Sequence, residues 1–147
     1  MKSKIIAYFP PFLLFTFIIW MILQADMDKS NMIMDIGNNI PFGDKIGHFL
    51  LFGLLALLLN IALRFRLIRL SSRNFHLGSV LVFAFAVCEE FSQLAIDNRT
   101  FDFLDMLFDL LGVGILSSIG FRRYVVIQLK AMVNFLSDKL QAQDSNL

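Results

Sequence analysis

Residues 77–121 read LGSVLVFAFAVCEEFSQLAIDNRTFDFLDMLFDLLGVGILSSIGF, two apolar runs separated by a short segment rich in polar residues. The runs cover 77–96 and 104–121, and two others lie upstream at about 5–23 and 46–63. Each approaches the ~20 residues that a helix needs to cross ~30 Å of hydrocarbon. Because the connection 97–103 is short, the last two helices are expected to lie antiparallel. The sequence predicts an all-α integral membrane bundle of four helices.

The composition supports this fold class and excludes others. Of 147 residues, 57% are hydrophobic and 17% charged, whereas a soluble domain has about 45–50% apolar and about 25% charged residues. The net charge of +1 gives no basis for nucleic-acid binding. One cysteine, Cys88, excludes an internal disulfide and a cysteine metal site. We expect no cofactor and no metal, and the sequence does not determine the oligomeric state.

The whole chain, 1–147, is predicted to form a single transmembrane domain. The first run is too long for a cleavable signal and is expected to remain as an anchor, bent or delayed by Pro10 and Pro11. Residues 122–140 are predicted to form a basic amphipathic helix on the inner leaflet. Its apolar positions recur at steps of three and four residues: Val125, Leu129, Met132, Val133, Leu136 and Leu140.

The basic residues predict the orientation, because cytoplasmic loops are enriched in lysine and arginine. Ten of the 13 basic residues fall on one predicted side, in the N-terminal segment, the loop 64–76 and the C-terminal segment. Only Lys29, Lys45 and Arg99 fall on the other side. We therefore expect a multi-pass protein of the bacterial cytoplasmic (inner) membrane with both termini in the cytoplasm and the hairpin 97–103 facing outward.

Polar residues inside the apolar runs mark a candidate site, because each costs about 2.5–3.5 kcal/mol at the centre of the bilayer. They recur at helical spacing near the outer ends of the last three helices. Glu89 and Glu90 are about 100° apart and cannot share a face, and we expect Glu90 to face the interior because it begins the motif Glu90-x-x-Gln93. Close carboxylates resist ionising together, so some are expected to be protonated or paired with Arg99, Lys45 or His48. Asp102 and Asp105 follow Arg99 at three-residue steps, so Arg99 is expected to neutralise them. An outward-facing acidic pocket is predicted, with these ligand-binding candidates: Asp44, Lys45, His48, Glu90, Gln93, Arg99, Asp102, Asp105 and Asp109.

These residues form spaced motifs that resemble the VanZ-like membrane proteins over about residues 44–120. The motifs are Asp44-Lys45-x-x-His48-Phe49-x-x-Phe52, Glu90-x-x-Gln93, Arg99-x-x-Asp102-x-x-Asp105 and Asp105-x-x-x-Asp109-x-x-Gly112. The sequence departs from the family pattern at Asp109, where asparagine is usual, and this adds a titratable group. The resemblance implies a role in low-level resistance to the glycopeptide antibiotic teicoplanin.

Three classes of function fit these residues. The first is a cell-envelope protein whose pocket binds membrane lipid, a lipid-linked cell-wall precursor or a glycopeptide, with Arg99 and Lys45 available for a phosphate. The second is an intramembrane enzyme using acid/base or metal-assisted chemistry, with Glu90, Asp105 and His48 as catalytic candidates. The third, a small ion-coupled transporter, is disfavoured because no inverted repeat is visible. The alternative without a functional site is that these residues only stabilise helix packing, with each hydrogen bond contributing about 0.6 kcal/mol.

Overall fold

A computed structural model describes residues 2–29, 32–97 and 99–144 and shows a helical bundle. The connection between α3 and α4 is a two-stranded antiparallel hairpin, and α4 continues into the 3-10 turn Gln93–Ala95. The elements are α1 (Lys2–Asp26), α2 (Met32–Asn38), α3 (Gly43–Ala62), β1 (Leu67–Leu70), β2 (Arg73–His76), α4 (Leu77–Ser92) and α5 (Phe103–Asp144). Within the described residues, α1, α3, α4 with its 3-10 turn, and α5 are long and apolar enough to cross a membrane. The predicted all-α class is confirmed, whereas α2 and the β-hairpin were not predicted.

The N-terminal helix runs through its two prolines. Residues Lys2–Asp26 are helical, with Pro10 and Pro11 inside the element. The prolines therefore do not delay the start of α1, although each lacks a backbone N–H. The buried face of α1 packs on α3 through Ile18, which is 2% exposed.

Apolar residues from α1, α3, α4 and α5 form the core of the bundle. Its fully buried members are Ile18, Phe52, Leu55, Ala56, Val82, Ala86 and Val113. The closest packing is between α3 and α5, where a Cβ on Gly53 would lie 2.8 Å from the carbonyl oxygen of Gly112. A Cβ on Gly112 would in turn meet the carbonyl oxygen of Phe49. The two helices are close because neither glycine has a side chain, as in other membrane bundles with small interface residues.

Buried hydrogen bonds hold the helices together at the end of the bundle that carries the β-hairpin. At the hairpin end, where α3 ends and α4 begins, Asn60 is fully buried and donates hydrogen bonds to Ser79 Oγ (2.8 Å) and Ser117 Oγ (3.0 Å). These bonds connect α3, α4 and α5. The chain leaves α3 through Arg64 and Phe65, both with positive φ, and the Phe65 ring packs between His76 and Tyr124. Burial of that ring offsets the roughly 1–2 kcal/mol that a left-handed residue costs.

The last helix extends far beyond the predicted fourth span. Its 42 residues correspond to about 63 Å, about twice the ~30 Å of a hydrocarbon core. Residues 122–140 continue α5 as helix without a break after Phe121. The described side chains of this extension are largely exposed. Its location on the inner leaflet stays a prediction.

Candidate functional site

The polar residues singled out in the sequence meet at the other end of the bundle, which we call the site end. Here α3 and α5 begin and α4 finishes. Because α4 and α5 are antiparallel neighbours, the last turn of α4 and the first turns of α5 lie at one level. The start of α3 packs against both helices. Residues that are far apart in the chain are thereby brought into one cluster.

Lys45 is the central cation of this cluster. Its Nζ donates to Asp102 Oδ2 at 2.7 Å, to Asp105 Oδ1 at 2.8 Å and to Asp44 Oδ2 at 3.0 Å. An ammonium group has three N–H donors, so all of them are used. The side chain is only 10% exposed. Lys45 therefore offsets part of the negative charge of these three aspartates and has no donor left for a phosphate in this arrangement.

Asp102 combines the ion pair with a helix cap. Its Oδ1 accepts a hydrogen bond from the backbone N–H of Leu104 at 2.8 Å, at the first turn of α5. This bond satisfies one of the unpaired donors of the helix start. The Lys45 ammonium, together with this backbone bond, holds the pKa of the Asp102 carboxyl below its usual value. Asp102 thus fixes the start of α5 beside the start of α3.

His48 is held by Asp109, one turn deeper in the bundle. Its Nδ1 lies 3.2 and 3.3 Å from the two carboxylate oxygens of Asp109, which is fully buried. The imidazole stacks on Phe52, with the ring centroids 5.7 Å apart and the planes 6° apart. Its Nε2 lies 3.9 Å from Asp105 Oδ2, beyond hydrogen-bond distance. Asp109 is therefore the residue that orients the histidine.

The two adjacent glutamates of α4 have different surroundings. Glu90 is fully buried, and its Oε1 accepts the backbone N–H of Asp102 at 2.6 Å. Glu89 is 7% exposed, and its Oε1 accepts from Gln93 Nε2 at 3.0 Å and from Arg99 Nη2 at 3.5 Å. Glu89 Oε2 is buried and has no hydrogen-bond partner among the described residues. Glu90 therefore connects α4 to the start of α5, whereas Glu89 retains a free acceptor.

A cavity of about 540 Å³ opens between α1, α2, α3 and α4 at the site end. Its polar end includes Asp44, His48, Glu89, Gln93, Arg99 and Asp105. The opposite walls are apolar and come from α1 and α3, including Ile18, Ile22, Leu51 and Phe52. The short helix α2 covers one side through Ile36 and Gly37. We call this space the polar cavity.

The sequence analysis predicted that most of these residues lie together, and it named Glu90 rather than Glu89 as a binding residue. Glu90 is buried as expected, but it does not line the polar cavity, and neither do Lys45, Asp102 and Asp109. Glu89 lines the cavity and was not among the predicted binding residues. Its four-residue spacing from Gln93 was the available signal, because both side chains then lie on one helical face. A second difference concerns the counter-ions: Lys45 pairs with Asp102 and Asp105, and Arg99 pairs with Glu89.

The cluster contains several carboxylates and an imidazole, which are the types of side chain that could bind a metal ion. In the described part of the chain, no group of three histidine, cysteine or acidic side chains is placed to hold one. The position between Asp102 and Asp105 is occupied by the Lys45 ammonium. The arrangement can instead offer an imidazole nitrogen, a carboxylate acceptor and guanidinium donors to a bound molecule.

These features define a helical membrane protein with a buried, ion-paired polar cluster at one end of the bundle. The chain belongs to the VanZ/LLP1 family, which it matches over residues 5–122. The match includes the polar motifs and extends through α1. No curated protein and no solved structure matches the chain.

Proposed function

We propose that this VanZ-like protein acts in the cell envelope by binding an amphiphilic molecule, in particular a lipid-linked precursor, in the polar cavity. The observation that carries the proposal is Glu89 Oε2. It is a buried acceptor without a partner among the described residues, at the polar end of a cavity with apolar walls. Leaving such a group unpaired costs about 1–3 kcal/mol, more when it is charged. A ligand that donates a hydrogen bond to it removes this cost.

Two side chains at the polar end of the cavity suit a head group that carries both a phosphate and a hydrogen-bond donor. Arg99 has five N–H donors and, among the residues that the structure describes, is paired with Glu89 alone, at 3.5 Å. It is therefore available to bind a phosphate, with the planar geometry that suits one. Glu89 accepts a hydrogen bond from a hydroxyl, amide or ammonium group. A phosphate-linked sugar or peptide head group offers both, which is why we favour a lipid-linked precursor over an ordinary hydrocarbon ligand.

The proposed location is the outer face of a bacterial cytoplasmic membrane, with both termini inside. The distribution of basic residues supports this orientation. A protein that binds a precursor at the outer face lowers the amount of free precursor that an envelope-directed antibiotic can bind. We therefore include resistance to a glycopeptide, teicoplanin in the case of the family's namesake, as the cellular readout of binding.

Binding is tested with purified protein in nanodiscs and a fluorescent polyprenyl-diphosphate disaccharide as the probe. Glu89→Gln replaces the free acceptor by an amide and is expected to weaken binding about tenfold or more, since a bond to a charged group contributes about 1.5–3 kcal/mol. Arg99→Gln is expected to weaken binding similarly. The matched control is Asp97→Asn, an exposed acid outside the cavity. Equal affinity in wild type, Glu89→Gln and Arg99→Gln contradicts the proposal.

In cells, the same three variants are compared for teicoplanin sensitivity at equal protein levels. Glu89→Gln is expected to remove any protection that the wild-type chain gives, while Asp97→Asn keeps it. Protection that persists in Glu89→Gln would show that resistance does not depend on ligand binding in the polar cavity.

A second candidate function, an intramembrane acid/base enzyme, is favoured by the His48–Asp109 pair. A carboxylate that holds Nδ1 orients an imidazole and leaves Nε2 to exchange a proton with a substrate. His48 also lines the polar cavity. The test is hydrolysis of the diphosphate bond of the same probe, which yields polyprenyl phosphate and the disaccharide 1-phosphate: loss of this turnover in His48→Ala with binding retained supports an enzyme. Absence of turnover by the wild-type protein excludes this activity on the probe.

A further inference from the structure

We infer that the molecule bound in the polar cavity carries a long aliphatic chain, which passes Phe85 and lies in a second, apolar cavity farther from the site end. This inference rests on the proposed function and adds the place where the chain of the ligand lies. The second space has a volume of about 330 Å³ and is bounded by α1, α3 and α4. We call it the apolar cavity. Tyr8 is the only polar side chain among its described lining residues, which otherwise are aliphatic, proline or phenylalanine.

Both cavities lie along the same face of α1. The polar cavity is lined by the last part of this face and the apolar cavity by its first part. Positions three and four residues apart share a helical face. The lining positions follow this spacing without interruption: Tyr8, Phe12, Phe15, Ile18, Ile22 and Ala25.

The other two helices show the same continuity. On α4 and the 3-10 turn that follows it, lining residues recur every four positions, with Leu81 and Phe85 in the apolar cavity and Glu89 and Gln93 in the polar one. On α3, the polar cavity is lined by His48 and Phe52 and the apolar cavity by the next two positions on that face, Leu55 and Leu59. Three helices therefore present one groove that changes from polar to apolar along its length.

The dimensions suit a lipid chain whose head group lies at Glu89. Leu81 precedes Glu89 by eight residues, which is about 12 Å along a helix. This is less than half of the ~30 Å hydrocarbon core. The apolar cavity therefore lies within the depth that the tail of a lipid in the same leaflet reaches. Burying apolar surface stabilises a complex by about 25 cal/mol per Å² only when that surface is otherwise exposed to water. We therefore base the assignment of a lipid chain on the shape of the apolar cavity and its continuity with the polar cavity.

Three phenylalanines stand at the junction of the two cavities. The Phe85 ring lies edge-on to Phe15, with centroids 5.1 Å apart, and stacks on Phe52 at 5.8 Å. Phe52 lines the polar cavity, while Phe15 and Phe85 line the apolar one. Because these rings touch, the width of the passage depends on the residue at position 85. A larger ring there narrows the passage, and a smaller side chain widens it.

The experiment uses a single-chain glycerophosphate lipid whose hexadecyl chain ends in a diazirine, together with its octyl analogue. The full-length protein in nanodiscs is irradiated, and labelled residues are identified by mass spectrometry. The hexadecyl probe is expected to label Leu59 and Leu81, and the octyl probe to label Phe52 and Phe85. Phe85→Trp should lower hexadecyl labelling of Leu81 several-fold, and Phe85→Leu should raise it. Phe91→Trp, at a position that is 54% exposed and lines neither cavity, is the control.

The outcomes separate this inference from the function on which it rests. If Glu89→Gln and Arg99→Gln lower labelling by both probes but Phe85→Trp leaves Leu81 labelling unchanged, the chain route is wrong and head-group binding stands. If neither head-group variant lowers labelling, the proposed function fails. Equal labelling of Leu81 by a hexadecane diazirine without a head group shows that bulk lipid fills the apolar cavity and overturns the inference. Unaltered Tm of the Phe85 variants shows that the labelling reports the passage rather than unfolding.

Discussion

Lys45 Nζ lies 2.8 Å from Asp105 Oδ1, joining the first turn of α3 to the first turn of α5 across 60 positions of sequence. Both residues are buried. A buried charge is tolerated when it is paired and hydrogen-bonded, and removing one partner leaves the other uncompensated. This pair therefore holds the site end together and sets the distance between the helices that frame the cluster.

Replacing Lys45 by methionine is expected to lower the free energy of unfolding by about 3 kcal/mol. This is the low end of the range for buried pairs, because Asp44 and Asp102 are partly exposed and regain water. Unfolding of the purified protein by SDS in mixed micelles measures the effect. Lys29→Met, at an exposed position, should change stability little. Adding Asp105→Asn to Lys45→Met should recover part of the loss; a further loss of equal size would argue against the pairing.

The close approach of α3 and α5 predicts opposite results for two neighbouring glycines. Gly112→Ala places a methyl group against the Phe49 carbonyl and should cost about 1–3 kcal/mol, as overpacking does. Gly114→Ala meets no atom within 4 Å and should be neutral or slightly stabilising, since alanine favours the helix. Thermal unfolding in detergent compares the two variants. Equal destabilisation by both would show that helix approach at Gly112 does not limit stability.

Asp102 predicts a pH dependence of stability. Its pKa in the folded protein is below the usual 3.8, so its ion pair stabilises the fold above that value and is lost as the pH falls through the folded pKa. Asp102→Asn keeps a helix-capping side chain but removes the charge. The variant should therefore unfold at a lower temperature than wild type near neutral pH, and the difference should shrink in acid. Asp97→Asn should show no such trend, and a difference independent of pH would assign the effect of Asp102 to packing.

The orientation in the membrane is tested by accessibility of single cysteines. In a Cys88→Ser background, Asp97→Cys should react with an impermeant thiol reagent added to intact cells, because the loop between α4 and α5 is predicted to face outward. Ser72→Cys, in the turn of the β-hairpin, should react only after the membrane is opened. Both positions are exposed in the structure. Labelling of Ser72→Cys alone in intact cells would invert the orientation and place the polar cavity in the cytoplasm.

Much of the fold follows from local properties of the sequence. The apolar runs are long enough to span a bilayer, and the short connection before Phe103 makes α4 and α5 antiparallel neighbours. The Glu90-x-x-Gln93 motif led to the prediction that Glu90 faces the interior, and the structure has it fully buried. The small β-hairpin and α2 were missed because segments of four to seven residues carry too weak a periodic signal and depend on their neighbours.

The pairing within the site was decided by tertiary structure. Spacing along the chain suggested Arg99 as the partner of Asp102 and Asp105, yet Lys45 reaches both because α3 packs against α5. Spacing also could not distinguish the roles of Glu89 and Glu90, which differ by about 100° around α4. The sequence by itself determined the membrane bundle and the residues of the polar cluster, because these depend on composition and helical period. Only the packed helices determined that Glu89 retains a free acceptor in a cavity, because that depends on which neighbour occupies each side of α4.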